Sequence, residues 1–510
     1  MRRPVIGHVF GRFLPLSEVF SYELLRSLEG RVEQHVIASR LEHQDRFPWP
    51  RVHLPGSARD AWTLARELGV ELAVGHFGPT GTTVMPLALA NRIPAATIFH
   101  GYDVSMLLRD PVWVERYRGL ADLGLHAICI SEAGRRRLRA IGWPARQIDV
   151  IHLGVDTARI AITPGRPRLA HEPLRLLMVA RLVPKKGVDV AVRAMAALKA
   201  SGVTATLTVI GEGPEHAALR DLTRALGLGA VVVFAGARRH DEVLEAMASA
   251  DVLLQCSVTA PDGDQEGIPV SLMEAQARGV PVVATRHSGI PELVVHGRTG
   301  LLVDEHDAEG LASAVQKLAA DPALARRLAA AGRRRVERHF DRARQAERFT
   351  RVFTRLIAEG APVRRRTARR AGPRILFVRT VPVDLTFRRL MALRGRYGGA
   401  HVTVLTTESS AAVFRNSSLA DAVVTYPDGR LGLSHLGRAR LAALQAARYD
   451  LVAVAYPDEQ GRRFGNVRRV ARALGGSRRV ALTVRDAEVE IPGIPRPDLL
   501  RHPAALERTA

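Results

Sequence analysis

Short apolar runs alternate with amphipathic stretches along almost the whole chain. The runs at 95–99, 126–130, 174–180, 205–210, 230–234, 251–256 and 281–284 have the length of buried strands. Between many of them, stretches such as 187–200, 215–226 and 241–249 repeat apolar residues at helical spacing. This alternation predicts a parallel α/β architecture. It breaks twice. Residues 162–173, ITPGRPRLAHEP, carry three prolines and no period. Residues 360–373, GAPVRRRTARRAGP, are basic and unpatterned. Both read as linkers. A further strand series follows at 374–379, 401–406, 422–426, 450–455 and 479–484.

These breaks divide the chain into an α/β domain at 1–165, a second at 166–340 and a helical segment at 341–359. A basic linker at 360–373, a third α/β domain at 374–487 and a Pro-rich, loosely ordered tail at 488–510 complete it. The length of 510 residues suits about three domains.

Composition narrows the partners. Lys and Arg total 74 against 51 Asp and Glu, a net charge of +23. The lysines are Lys185, Lys186, Lys199 and Lys317, so the charge is almost all arginine. One reading of this charge is arginine usage in place of lysine. The other is attraction to anionic partners such as diphosphates, acidic glycans or an anionic membrane face. No helix-turn-helix, zinc or RNP pattern accompanies it, which argues against nucleic acid. Cys129 and Cys256 lie in apolar strand-like runs and read as buried, reduced thiols. No apolar run approaches the ~18 residues that suggest a membrane span. A cytoplasmic protein, with peripheral contact to the inner membrane face, is the expectation.

Three segments carry candidate chemistry. In RLVPKKG, 181–187, a strand ends and a helix begins. Arg181 and Lys186 would then stand at the carboxyl edge of a parallel sheet, where α/β proteins bind ligands. Two cations there suit a departing diphosphate. In VIGEGPEH, 209–216, Gly211 and Gly213 resemble half of a dinucleotide fingerprint. His216 occupies the place of the third glycine, which argues against NAD. A tight turn near a nucleotide, with Pro214 opening the next helix, is the better reading. In DVLLQCS…EGIPVSLME, Gly267 permits close backbone approach and Pro269 suits the first turn of a helix carrying Glu274. Free N–H groups at such a helix start favour an anion. On one continuous helix, residues eight apart lie about 12 Å apart and turned by roughly 80°. Glu266 in the loop and Glu274 in the helix can therefore touch opposite ends of one ligand.

Taken in order, FHGYD (99–103), ISE (130–132), HLGVD (152–156), RLVPKKG, GEGP (211–214), EGIPVSLME (266–274) and HSGIPELV (287–294) resemble the retaining family-4 glycosyltransferases. LPLSEVF (14–20) and DGDQEGIPVSLMEA resemble their exopolysaccharide and colanic-acid-type subgroup. The resemblance covers about 1–360. It implies the GT-B fold, two Rossmann-like domains facing across a cleft, here followed by a third. It implies transfer of a hexose from a nucleotide-diphosphate sugar to a glycan or lipid-linked acceptor in bacterial surface polysaccharide synthesis.

Position by position, the resemblance implies that Arg181 and Lys186 bind the donor diphosphate and Glu274 the ribose hydroxyls. Glu266 would contact the donor sugar, with backbone N–H groups near Gly267 and Ile268. His100 would approach the anomeric centre from the first domain. Ser17 and Glu18 would face the cleft, as would Asp103 of FHGYD, and Ser17 reads equally as a helix N-cap. Many members carry a glycine pair in the first loop, where this chain has GRFLPLSE. Asp262-Gly263-Asp264 spells a metal-binding pattern of another glycosyltransferase fold. Here Arg181, Lys186 and the helix N-terminus supply the positive charge, so neither metal nor cofactor is expected. Residues 374–487 resemble the N-terminal half of heptosyltransferases, with Asp384 at the place of their catalytic Asp. No donor half follows, so a vestigial or docking module, and not a second active site, is the expectation. Two alternatives stay open, a nucleotide-sugar epimerase on the same fold and a non-catalytic scaffold.

Overall fold

The computed structural model describes residues 2–15, 18–162, 172–361, 372–397, 399–417, 419–429, 431–455, 465–474, 478–482 and 488–490. The chain forms two compact units, Met1–Pro362 and Val363–Ala510.

The first unit holds two sheets. In the first lie β1 (Val5–Phe13), β2 (Glu33–Leu41), β3 (Val52–His53), β4 (Leu72–His76), β5 (Ala95–Phe99), β6 (His126–Cys129) and β7 (Ile148–Val150). They run parallel in the order β3-β2-β1-β4-β5-β6-β7. In the second lie β8 (Leu174–Val179), β9 (Ala205–Ile210), β10 (Val232–Gly236), β11 (Val252–Gln255), β12 (Val282–Thr285) and β13 (Leu301–Val303). These too are parallel, in the order β10-β9-β8-β11-β12-β13. The central strands read as unbroken apolar runs because helices cover both sheet faces. In each sheet the strand order reverses beside the first strand, which opens a crevice at the carboxyl ends.

The second unit repeats the plan with β14 (Arg374–Val378), β15 (His401–Thr407), β16 (Ala422–Tyr426), β17 (Leu451–Ala455), β18 (Arg478–Leu482) and β19 (Glu488–Glu490). Their order is β16-β15-β14-β17-β18-β19. The expected α/β fold with three Rossmann-like sheets is the one the chain adopts. The tail expectation needs a correction at its start. Residues 488–490 pair antiparallel with β18 and complete the sheet edge. The rest of the tail and most of both linkers lie outside the described residues.

The helix Arg342–Glu359 belongs spatially to the first half of its unit. The chain crosses back where Val155 N–H donates to Phe340 O and Arg342 N–H to Val155 O, both 2.9 Å. Phe349 and Phe353, one helical turn apart, are fully buried in a core with Ile6, Leu24 and Val74. The same core continues through Ile130 and Ile268 into the second sheet. Cys129 and Cys256 are buried free thiols, and burial pushes both well above the ordinary thiol range.

Candidate active site

The donor-side turn is built by backbone packing. β8 ends at Val179, and Pro184–Lys186 form a short 3-10 turn ahead of the helix Val188–Ala200. Arg181 stands exposed at this carboxyl edge. The loop after β9 lies directly against it. Gly211 has φ +139°, and a Cβ there would sit 1.9 Å from Ala180 O. Leu182 N–H donates to Glu212 O at 2.9 Å. Gly211 thus holds the Arg181 segment in place through backbone contact. Pro214 does not open the following helix. It lies in the turn before His216–Ala225.

The loop after β11 is pinned to the same turn by two ion pairs. Lys185 Nζ lies 2.9 Å from Asp264 Oδ2, and Lys186 pairs with Glu266. Burial acts to raise the Glu266 carboxyl, but Lys186 and Lys185 outweigh it and hold it below the usual range. Glu266 is therefore an anion at neutral pH. Its backbone N–H donates to His287 Nε2 at 3.0 Å, and His287 Nδ1 faces Glu305 Oε1 at 2.7 Å. That pattern fixes the tautomer, since Nε2 accepts and Nδ1–H donates. Asp264, the last residue of the D-G-D pattern, is committed to Lys185.

The first half meets this loop partly through backbone. A Cβ on Gly267 would lie 3.2 Å from His100 O and 2.8 Å from Ile130 Cδ1. Glycine at 267 lets the backbone next to Glu266 pack against the His100 carbonyl. The His100 ring packs against Phe20 and Phe77, with centroids 4.8 and 4.5 Å away. Neither ring nitrogen has a hydrogen-bond partner, although both are sealed from water. Burial lowers its pKa to about 3, so the ring is neutral. An unmade buried hydrogen bond costs about 1–3 kcal/mol. A ligand hydroxyl reaching this ring would recover that cost.

The remaining expected residues separate into three groups. Ile268 is buried, and Pro269 occupies the N-cap of the helix Val270–Arg278, one place ahead of its expected first-turn position. Glu274 is buried in that helix, with Oε1 2.7 Å from His240 Nε2. This bond raises the pKa of His240. Glu274 is thus engaged by His240. Glu18 precedes the helix Val19–Leu28 but makes no side-chain cap. Burial lifts its carboxyl to about 7, with Arg12 and Arg181 acting against the rise. Ser17 lies outside the described residues. Asp103, expected at the cleft, lies beneath it. It is fully buried, accepting from His100 N–H at 3.0 Å and Gly78 N–H at 2.9 Å. Burial raises it to about 6 against these bonds. It positions the His100 backbone. Asp384 falls in the first turn of the helix Val383–Arg396, and its side chain is outside the described residues.

Several residues at the junction escape the sequence reading. Glu292 accepts from the backbone N–H groups of Glu132 (2.8 Å) and Ala133 (2.9 Å) at the start of the helix Glu132–Ala140. His152 Nε2 lies 2.9 Å from the same carboxylate. Burial would raise Glu292, yet His152 and the two N–H groups together lower it. Arg137 reaches across to Gln265 and Ser288. ISE, HLGVD and HSGIPELV thus converge on one contact between the two halves. Only their presence in order was a signal, and none of these side chains stands out locally.

Two family models match the chain, Glycosyltransferase Family 4 over residues 17–159 and Glycosyl transferases group 1 over residues 162–335. The chain is 41% identical over 259 residues to WcaL of Escherichia coli K12, a glycosyltransferase assigned to colanic acid biosynthesis. That match covers 50% of this chain and 63% of WcaL. With WcaL of Salmonella typhimurium it covers 60% of the relative, so the chain spans about three fifths of the length of these relatives. It is 34% identical over 299 residues to the amylovoran biosynthesis glycosyltransferase AmsK of Erwinia amylovora, covering 57% of this chain and 72% of AmsK. Among solved structures, Anabaena HepE in complex with UDP aligns with a TM-score of 0.60 at 19% identity, over 69% of this chain and 100% of that one. At that identity the likeness shows the fold alone.

Proposed function

The chain belongs to the family-4 and group-1 glycosyltransferases of the GT-B fold, and on that premise we propose that its first unit transfers a hexose with retention. The donor is a nucleotide-diphosphate sugar. The acceptor is a glycan or lipid-linked oligosaccharide of bacterial surface polysaccharide biosynthesis. Residues 1–165 serve the acceptor, 166–340 the donor, and 374–487 dock an acceptor or a partner enzyme. The protein works in the cytoplasm, with peripheral contact to the membrane. The observation that carries this reading is the Lys186–Glu266 pair at the carboxyl edge of the second sheet, next to Gly267, which packs against the His100 carbonyl of the opposite half.

In this reading Arg181 and Lys186 take the diphosphate, aided by N–H groups at the start of the helix Val270–Arg278. Glu274 takes the ribose hydroxyls. Glu266 orients the sugar, and neutral His100 accepts or donates one hydrogen bond near the anomeric carbon. The bond from that carbon to the diphosphate oxygen breaks as the acceptor oxygen bonds on the same face. The departing phosphate oxygen takes the acceptor proton. The two cations hold the charge of the leaving group, so no protein acid and no metal is required.

A thermal-shift screen against nucleoside diphosphates and nucleotide sugars tests the donor assignment. Incubation of each stabilising nucleotide sugar with and without an acceptor glycan then tests transfer. New glycan with acceptor supports the proposal. Conversion of the nucleotide sugar without acceptor marks an epimerase, and failure to bind any nucleotide sugar marks a scaffold.

A further inference from the structure

A basic concavity lies where the helices Pro322–His339 and Arg342–Glu359 meet the loop before β13, and none of its lining residues is among those assigned to the donor cleft. It has a volume of about 570 Å³ and is lined by Arg298, Arg334, Arg335, Arg338 and Arg344, with Glu337 as its one carboxylate. Three segments converge to make it. Arg334, Arg335 and Arg338 come from the last turns of the helix Pro322–His339. Arg344 comes from the start of the helix Arg342–Glu359, and Arg298 from the loop before β13. Arg334 and Arg338 are four apart and share a helix face, an arrangement of like charges that opposes helix formation.

The obvious structural explanation accounts for little of this charge. Cations near a helix C-terminus answer the macrodipole, but that end carries only about half a negative charge. Five guanidinium groups far exceed it. Glu337 is committed elsewhere, with Oε1 2.6 Å from Arg333 Nε. Arg335 gives Nη2 to the Glu292 carbonyl, while its Nε is buried without a partner. The electrostatics report the same crowding. Burial and then Arg298 hold the Arg335 guanidinium below its usual range. Burial, then Arg335, Arg338 and Arg348, hold His339 below its own.

We infer that this concavity is an anion site for a phosphate-bearing group, separate from the donor cleft. Guanidinium forks match phosphate oxygens in pairs, and several forks converging from different elements suit one multiply charged group. The volume falls in the range of small-molecule sites. The group is either a free phosphate compound or the headgroup of an anionic lipid, since both present the same oxygens.

The test uses the full chain in a Lys186→Ala background, which weakens diphosphate binding at the donor cleft. Inorganic diphosphate is titrated calorimetrically into this protein and into the same protein carrying Arg334→Gln and Arg338→Gln. In parallel, wild type and Arg334→Gln/Arg338→Gln are floated with vesicles of phosphatidylglycerol and phosphatidylcholine, and of phosphatidylcholine alone. A diphosphate isotherm weakened at least tenfold by the arginine substitutions supports a free-phosphate site. Flotation on the anionic vesicles that the substitutions abolish supports a headgroup site. If neither binding responds to the substitutions, the inference is overturned. Should the double substitution shift the melting temperature, Arg298→Gln on the separate loop carries the same comparison. Donor-cleft binding is measured in the Lys186-containing protein, so failure here leaves the transferase reading to its own test.

Discussion

Replacing Glu292 should loosen the junction between the two halves of the first unit. Its carboxylate accepts two backbone N–H groups and faces His152, all within 2.9 Å, with only 14% of the side chain exposed. The acceptor is charged and the donors sit at a helix N-terminus, where an anion is favoured. Each charge-assisted bond contributes about 1.5–3 kcal/mol, and the three share one carboxylate, so they do not add fully. Glu292→Ala should therefore cost about 3–5 kcal/mol, the usual loss when one partner of a buried charged contact is removed. Glu292→Gln keeps one acceptor and turns an amide NH2 toward a donor, for a loss of about 2 kcal/mol. Trp49, Trp62, Trp113 and Trp143 all lie in the first half, so urea unfolding followed by tryptophan fluorescence reports its release. The pH dependence has a definite sign. Glu292 is lowered in the folded protein, so its contribution is present above the unfolded carboxylate pKa. It is lost as pH falls through the folded value. The gap between wild type and Glu292→Gln should hold at neutral pH and close in acid. A gap under about 0.5 kcal/mol at pH 7, or one unchanged in acid, would refute this role for Glu292 at the junction.

Glu18 should behave in the opposite sense. Its carboxyl is raised from 4.5 to about 7 by burial, so between these values the folded state holds a proton that the unfolded state has released. Stability therefore falls as pH rises through this window, and Glu18→Gln should remove the fall. Parallel urea midpoints for the two proteins across pH 5 to 8 would sink this account. Gly211→Ala places a methyl against Ala180 O at a backbone angle that alanine avoids, and should cost about 2–4 kcal/mol by thermal unfolding. An unshifted melting temperature would mean the Arg181 segment is not held this way. Glu266→Gln releases Lys186 from its ion pair. Nucleoside diphosphate binding should persist or tighten while turnover falls about 100-fold, and a change in KM alone would contradict the role.

What was legible in the sequence was local. The strand runs reveal themselves because parallel strands buried on both faces are apolar nearly throughout, and β5, β11 and β17, each fully buried, fall within their runs. Arg181 and Lys186 could be placed at a sheet edge because a strand and a glycine bracket them. Contacts made across the chain left no such trace. Lys186 meets Glu266 over 80 residues, and Glu292 meets His152 over 140. The amphipathic helix Arg342–Glu359 displayed its apolar face, but not that the face would return to the first half. Asp103 sat within a recognised motif, yet its burial beneath His100 depends on backbone groups from two loops. The neutrality of His100 likewise follows from Phe20 and Phe77, which are distant in sequence.

If Lys186, at the carboxyl edge of the second sheet, holds a nucleoside diphosphate, calorimetric titration into wild type and Lys186→Ala will show it. At least one nucleoside diphosphate should bind wild type, and Lys186→Ala should weaken it by the equivalent of one charge-assisted bond, roughly 10- to 150-fold. Equal affinity in the two proteins, or no binding to wild type by any nucleoside diphosphate, would contradict this role for Lys186.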